Sequence, residues 1–243
     1  MIYLFVFLAV ITHTSFKGSR VIASLYGLDL GMSPVAIGLI FSMYALFPVF
    51  VSIYAGRVSD RYGSRPPMIL GATGLTTGLL LPFFFPGIVT LYVASTIIGC
   101  CYIFYTVSIQ HIIGTFGSGL DRTRNYSLYA LGMSITALTG PMVTGFAIDT
   151  VGFRYTYLLL ALLPSLPLAF FIFGRRWLPR PPAKPKNDEK HRMVDLLREP
   201  PLRRALISAG IIETGMELFN FYAPIYGRSI GLSATKIGIV LGS

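Results

Sequence analysis

At 243 residues, 53% hydrophobic and only 12% charged, with a mean hydropathy of +0.67, the chain carries more apolar surface than a soluble core of this size can hide. Its net charge of +10 does not point to nucleic acid, because the Lys and Arg residues are placed as a membrane topology signal. Arg57, Arg61 and Arg65, then Arg122 and Arg124, then ten Lys and Arg over 175–204 fall on one set of loops, leaving Arg154, Arg228 and Lys236 on the other. Uncharged runs near 20 residues recur, without the short alternating segments of a membrane β-barrel, so the class is an all-α polytopic membrane protein.

In chain order, the first segment runs from about Ile2 to Tyr26. It lacks a basic leader and a small-residue cleavage site, and reads as a membrane helix rather than a signal peptide. Ser33-Pro34 is a helix start, with Ser as N-cap and Pro at the first helical position. The second segment then stays uncharged to Ala55, and Gly56–Arg65 forms a short basic connection to the third, about 67–85, which carries Gly71, Gly74 and Gly78 at helical spacing. The fourth covers about 88–113. Its adjacent Cys100 and Cys101 point too far apart on a helix to form a disulfide, and read as small apolar fillers. After a loop at 114–125 comes the fifth segment, about 126–148, holding Gly132, Gly140-Pro141 and Gly145; the sixth opens at Gly152 and ends at Phe173.

Residues 175–201 are basic and proline-rich, a solvated linker in which Met193, Leu196 and Leu197 have helical spacing. The seventh segment spans about 202–226 and the eighth opens at Ser233. At Ser243 that helix has covered only about 16 Å of a core about 30 Å thick, so the chain reads as a fragment of about seven and a half membrane helices.

Gly56-x-x-x-Asp60-Arg61-x-Gly63-Ser64-Arg65 resembles the signature loop G-x-x-x-D-R-x-G-R-[RK] between the second and third helices of the major facilitator superfamily, with Ser64 in place of the first closing basic residue. The resemblance implies a conformational latch. Gly56 would allow close helix approach, Asp60 would face the positive end of another helix, and Gly63 would permit the turn, with Arg61 and Arg65 completing the motif. Gly132, Gly140, Pro141 and Gly145 resemble the fifth-helix motif of the superfamily's drug-efflux antiporters, although three residues and a single Gly145 follow the Gly-Pro pair where the family has two residues and a Gly pair. In the fourth segment Leu91 and Gly99 fit a family pattern whose Arg and Gln are here Ser95 and Ile98.

A gapless internal repeat gives independent support. Tyr26-Gly27-x3-Gly31-x-Ser33-x3-Ile37-Gly38 recurs 200 residues later as Tyr226-Gly227-x3-Gly231-x-Ser233-x3-Ile237-Gly238. Tandem halves joined by a linker are the parallel-repeat architecture of this superfamily. The expected organisation is a six-helix half over 1–174, a linker over 175–201 and an incomplete second half over 202–243.

Within the first segment His13, Lys17 and Arg20 share a helical face, and the 200-residue offset places Glu213, Glu217 and Asn220 equivalently on the seventh. Four unpaired charges at mid-membrane would cost roughly 10–14 kcal/mol, so they must pair or line a wet cavity. Lys17 and Arg20 would receive an anionic or polar substrate group, and Glu213 or Glu217 would exchange a proton; a static ion-pair cluster is the structural alternative. Asp29 and Asp149 read as solvated loop acids.

The resemblance implies secondary active transport of a small organic solute by alternating access: proton-coupled efflux across a bacterial inner membrane, with the N-terminus and linker cytoplasmic. The alternatives are proton-coupled uptake of an organic anion, or a non-transporting truncated membrane protein. The implied partners are the solute, protons, the bilayer and the remaining helices of the second half. No metal spacing, nucleophile elbow or phosphate loop occurs, so neither enzymatic activity nor a cofactor is expected, and nucleic acid is not a partner.

Overall fold

The computed structural model describes residues 2–116, 118–174 and 200–243. Nearly all of the expected linker, including Met193, Leu196 and Leu197, lies outside them. The described residues form helices α1 (Ile2–Asp29), α2 (Pro34–Tyr62), α3 (Arg65–Phe84), α4 (Ile88–Thr115), α5 (Leu120–Phe173), α6 (Pro200–Ser229) and α7 (Ala234–Gly242), with no strand among them. The fifth and sixth expected segments are the two arms of α5, broken at Gly152, whose φ of 79° and ψ of 171° lie where a side chain would be strained. Helices α1 to α5 are each long and apolar enough to cross a membrane. α6 has the length, at 30 residues, but Glu213, Glu217 and Asn220 interrupt its apolar character.

Two connections are shorter than the sequence suggests. The stretch from Gly56 to Arg65 is not a ten-residue loop: α2 continues through Tyr62, Gly63 (φ 80°) and Ser64 make the turn, and α3 begins at Arg65. Nothing before Gly63 breaks the helix, and the long Arg side chains reach water from a helix end without unwinding it. Likewise α5 begins at Leu120, so Asp121 joins its first turn, where a carboxylate suits the positive end of the helix dipole.

Small residues decide the packing. α2 packs chiefly on α4 rather than on its sequence neighbour α3, because Gly99 of α4 lets its backbone approach that of Met43 and Tyr44 closely; a Cβ there would stand 2.9 Å from the Tyr44 carbonyl oxygen. The stripe Gly71, Gly74, Gly78 faces Tyr105, Cys101 and Ile98 of α4, so the half-buried Cys101 does fill space. α1 crosses α5 through Gly18 and Gly140; a Cβ on Gly140 would lie 2.7 Å from the Lys17 Cβ and 3.1 Å from the Thr14 carbonyl oxygen. Such small-residue crossings let backbones approach where lipid gives no hydrophobic drive for association.

The repeat is structural as well as sequential. Gly31 and Gly231 have φ of 75° and 77°, and Ser33 and Ser233 share φ of −68° with ψ of 155° and 159°. Each copy closes its first helix with the paired bonds of a glycine-terminated C-cap: Met32 N–H to Gly27 O at 3.0 Å and Gly31 N–H to Leu28 O at 3.0 Å, then Leu232 N–H to Gly227 O at 2.9 Å and Gly231 N–H to Arg228 O at 3.1 Å. Each opens its second helix with the serine hydroxyl accepting from the backbone N–H three residues on, at 3.3 Å in both.

Candidate functional site

The repeat sets α1 beside α6 and brings the two charged stripes together in part. Arg20 donates from Nη1 to Glu217 Oε1 at 2.8 Å and from Nη2 to Oε2, a forked charge-assisted pair. The guanidinium also lies 4.9 Å from the ring centroid of Phe41 on α2, which meets Phe221 of α6 edge-on at 5.5 Å. The Arg20 side chain is 11% exposed and that of Glu217 38%. The cation is therefore sequestered, while its carboxylate partner is partly exposed on the side of an open cavity.

The pair stands between two cavities. A small one of about 70 Å³ is lined by Lys17, Arg20, Phe41, Pro141, Met216 and Asn220 among others. An open one of about 550 Å³ holds Glu213 and Glu217 with Phe41, Ser42, Thr214 and Phe221 on its walls. Among the described residues Lys17 makes no ion pair or hydrogen bond, so the small cavity holds a cation with room for an anionic group. Glu213 is exposed on the open side. His13 lies elsewhere: buried, its Nε2 is 2.9 Å from the Tyr129 hydroxyl, and its ring stands edge-on to Tyr102 at 5.2 Å. The predicted basic stripe thus divides, with Lys17 and Arg20 at the cavities and His13 inside the α1–α4–α5 packing.

The fifth-helix motif sits between two partners. Gly132 rests on Val6 and Val10 and Gly140 on Lys17 and Gly18 of α1, while Gly145 meets the backbone of Ala234 and Thr235, and the Pro141 carbonyl meets Gly238. In the latch stretch, Gly63 makes the turn. Arg65 donates from Nε to Phe171 O and from Nη2 to Ile172 O, both at 2.8 Å, and so caps the last carbonyls of α5. Gly56 has open space around it among the described residues. Asp60 is exposed, and the Arg61 guanidinium lies 5.3 Å from the ring of its neighbour Tyr62.

Asp149 is not the solvated loop acid expected. Though exposed, its carboxylate accepts from Ala234 N–H at 3.2 Å, Thr235 N–H at 2.8 Å and the Thr235 hydroxyl at 2.6 Å. The signal in the sequence was indirect: the first turn of α7 has no acid of its own, leaving its N–H groups for an acid from another helix. Phe41 gave no signal, because an aromatic on an apolar helix reads first as lipid contact.

The model of the Major Facilitator Superfamily matches residues 5–243. Among curated proteins the chain is 27% identical over 110 residues to the class B tetracycline resistance protein of Escherichia coli, covering 45% of this chain and 27% of that protein. It is 28% identical over 162 residues to a lysosomal proton-coupled steroid conjugate and bile acid symporter of Mus musculus, covering 62% and 32%, and 30% identical over 125 residues to the staphylopine export protein of Staphylococcus aureus (strain Mu50 / ATCC 700699), covering 51% and 31%. Among solved structures, a bacterial homolog of the human lysosomal transporter Spinster, in an inward-facing and unoccupied conformation, aligns with a TM-score of 0.74 at 14% identity over 99% of this chain and 58% of that one. A POT family transporter aligns at 0.67 and 20% identity over 97% and 48%. The chain spans about a third of the length of these curated relatives and about half that of the solved structures. With the family model matched over nearly its whole length, the chain is a multi-pass integral membrane protein and belongs to the Major Facilitator Superfamily.

Proposed function

We propose that the protein is a secondary transporter that moves a small organic solute by alternating access, with the Arg20–Glu217 pair as its coupling site. Residues 1–174 form one six-helix half, 175–201 the linker, and 202–243 the beginning of the second half. The ends carrying the Arg-rich turns face the cytoplasm, by the positive-inside bias. The observation that carries the reading is the position of the pair: it joins the two repeats beside cavities, with its cation sequestered and its carboxylate partly exposed on the open cavity. Protonating Glu217 would free Arg20, and a solute group arriving at Arg20 would release Glu217 to take a proton, so one site can hold either proton or solute. The direction we favour is proton-coupled efflux from a bacterial cell, which rests on the fifth-helix Gly-Pro motif and on the two bacterial relatives, a tetracycline resistance and a staphylopine export protein.

A second reading, proton-coupled uptake of an organic anion, is favoured by Lys17, which bonds no acid among the described residues and shares its cavity with Arg20, and by likeness to a proton-coupled symporter of steroid conjugates and bile acids. Vesicles containing the native full-length protein distinguish these. Solute flux under an imposed pH gradient gives the direction, and solute exchange without a gradient gives competence. Glu217→Gln is expected to lose gradient-driven flux by at least tenfold while keeping exchange. Loss of both together, with the protein folded, would make the pair a static brace.

A further inference from the structure

α5 and α7 meet along a single line. Gly242 lies against Leu138, Gly238 against Pro141 and Met142, and Ala234 with Thr235 against Gly145, a three- to four-residue step on each helix that marks one face of each. Four residues beyond Gly145 on the same face stands Asp149, its carboxylate seated on the first turn of α7 through the three hydrogen bonds given above. The glycine line alone lets two smooth backbones slide or tilt, since little on it interlocks. Asp149 is the point where the line acquires a directional, charge-assisted contact, at the end of the bundle opposite the Arg-rich turns. Near the same end, Arg228 and Asp29 of the two repeats come within 4.0 Å.

We infer that Asp149 is a positioning residue that clasps the first bundle to the N-terminus of α7 and holds this end of the transporter shut, so that opening there requires its three bonds to break. From the contribution of acids at helix N-termini, loss of the clasp should raise the ratio of open to closed states about two- to thirtyfold.

Asp149 has this role only if the halves rock as proposed above. The test therefore reads distance, which requires neither protons nor a known solute, so failed coupling would leave it standing. In the native full-length protein with Cys100, Cys101 and any further native cysteine changed to alanine, spin labels at the exposed positions Val151 and Ile230 report the separation of the two sides of this end. Asp149→Ala should move population to a longer distance, Asp149→Asn less so, and Thr235→Val, which removes one donor from the opposite side at a half-buried position, should shift it in the same direction. Should Asp149→Ala fail to fold, Thr235→Val decides. A distance distribution unchanged from wild type in the folded variants would overturn the inference, as would Asp149→Ala lowering thermal stability alone.

Discussion

The two copies of the repeat, α1–α2 and α6–α7, share their corner almost bond for bond and differ in what they carry. Both end a helix on glycine in the left-handed region and start the next on a serine cap. Yet where α1 has Lys17 and Arg20, α6 has Glu217 and Asn220, and where α1 has Gly18 under α5, α6 has the exposed Leu218. The corner depends on backbone conformation and is retained. The intervening faces are free to diverge, and their divergence into opposite charge sets the Arg20–Glu217 pair between the copies. In this molecule the repeat supplies the frame and the breaking of the repeat supplies the site.

Substitutions can test that division from both sides. The largest effect is expected at the asymmetric crossing: Gly140→Leu or Gly18→Leu drives a side chain into a contact already at van der Waals limits. It should lower the yield of folded protein severalfold, seen as aggregated material on size-exclusion chromatography, in line with overpacking costs of about 1–3 kcal/mol or more. Next is the opposite-charge pair. Arg20→Ala and Glu217→Ala should each abolish gradient-driven flux and lower the melting temperature, while the exchanged pair Arg20→Glu with Glu217→Arg should restore part of the stability but not the flux, since the open position of the carboxylate is lost. Full recovery of flux by the exchange would mean that only the bridge matters. Arg65→Gln should cost about 1–2 kcal/mol through two lost charge-assisted bonds to the end of α5, measured by thermal unfolding in detergent. The smallest effects test the shared corner: Gly31→Ala and Gly231→Ala, at nearly equal φ, should each destabilise by roughly 1 kcal/mol. A large inequality between them would show that surroundings, rather than the corner itself, hold these turns.

Much of this frame was legible in the residues. Ser33-Pro34, Gly63 and Gly152 act through local backbone rules, and the glycines of α3 through close packing at helical spacing, and each stands where those rules require. The 200-residue offset paired α1 with α6 and so found Arg20 and Glu217 before any coordinates. What was not legible depends on rotation about a helix axis. His13 shares a helical face with Lys17 by spacing, but the stripe is wide enough for α4 and α5 to take one edge and the cavities the other. The helical continuation of α2 past Ala55 was hidden because charge was read as loop, whereas long basic side chains at a membrane surface are compatible with helix. Asp149 was hidden because its partner is a set of backbone N–H groups 85 residues away, which no side-chain motif records.

On the proposed mechanism Glu217 exchanges a proton when solute reaches Arg20. The direct measurement is the pH change of a weakly buffered solution of the purified full-length protein on adding candidate solutes, organic anions first, compared between wild type, Glu213→Gln and Glu217→Gln. The account predicts a solute-dependent pH change that Glu217→Gln removes and Glu213→Gln leaves largely intact. Solute binding with no proton movement in the wild type, or a pH change that survives in Glu217→Gln, would contradict it.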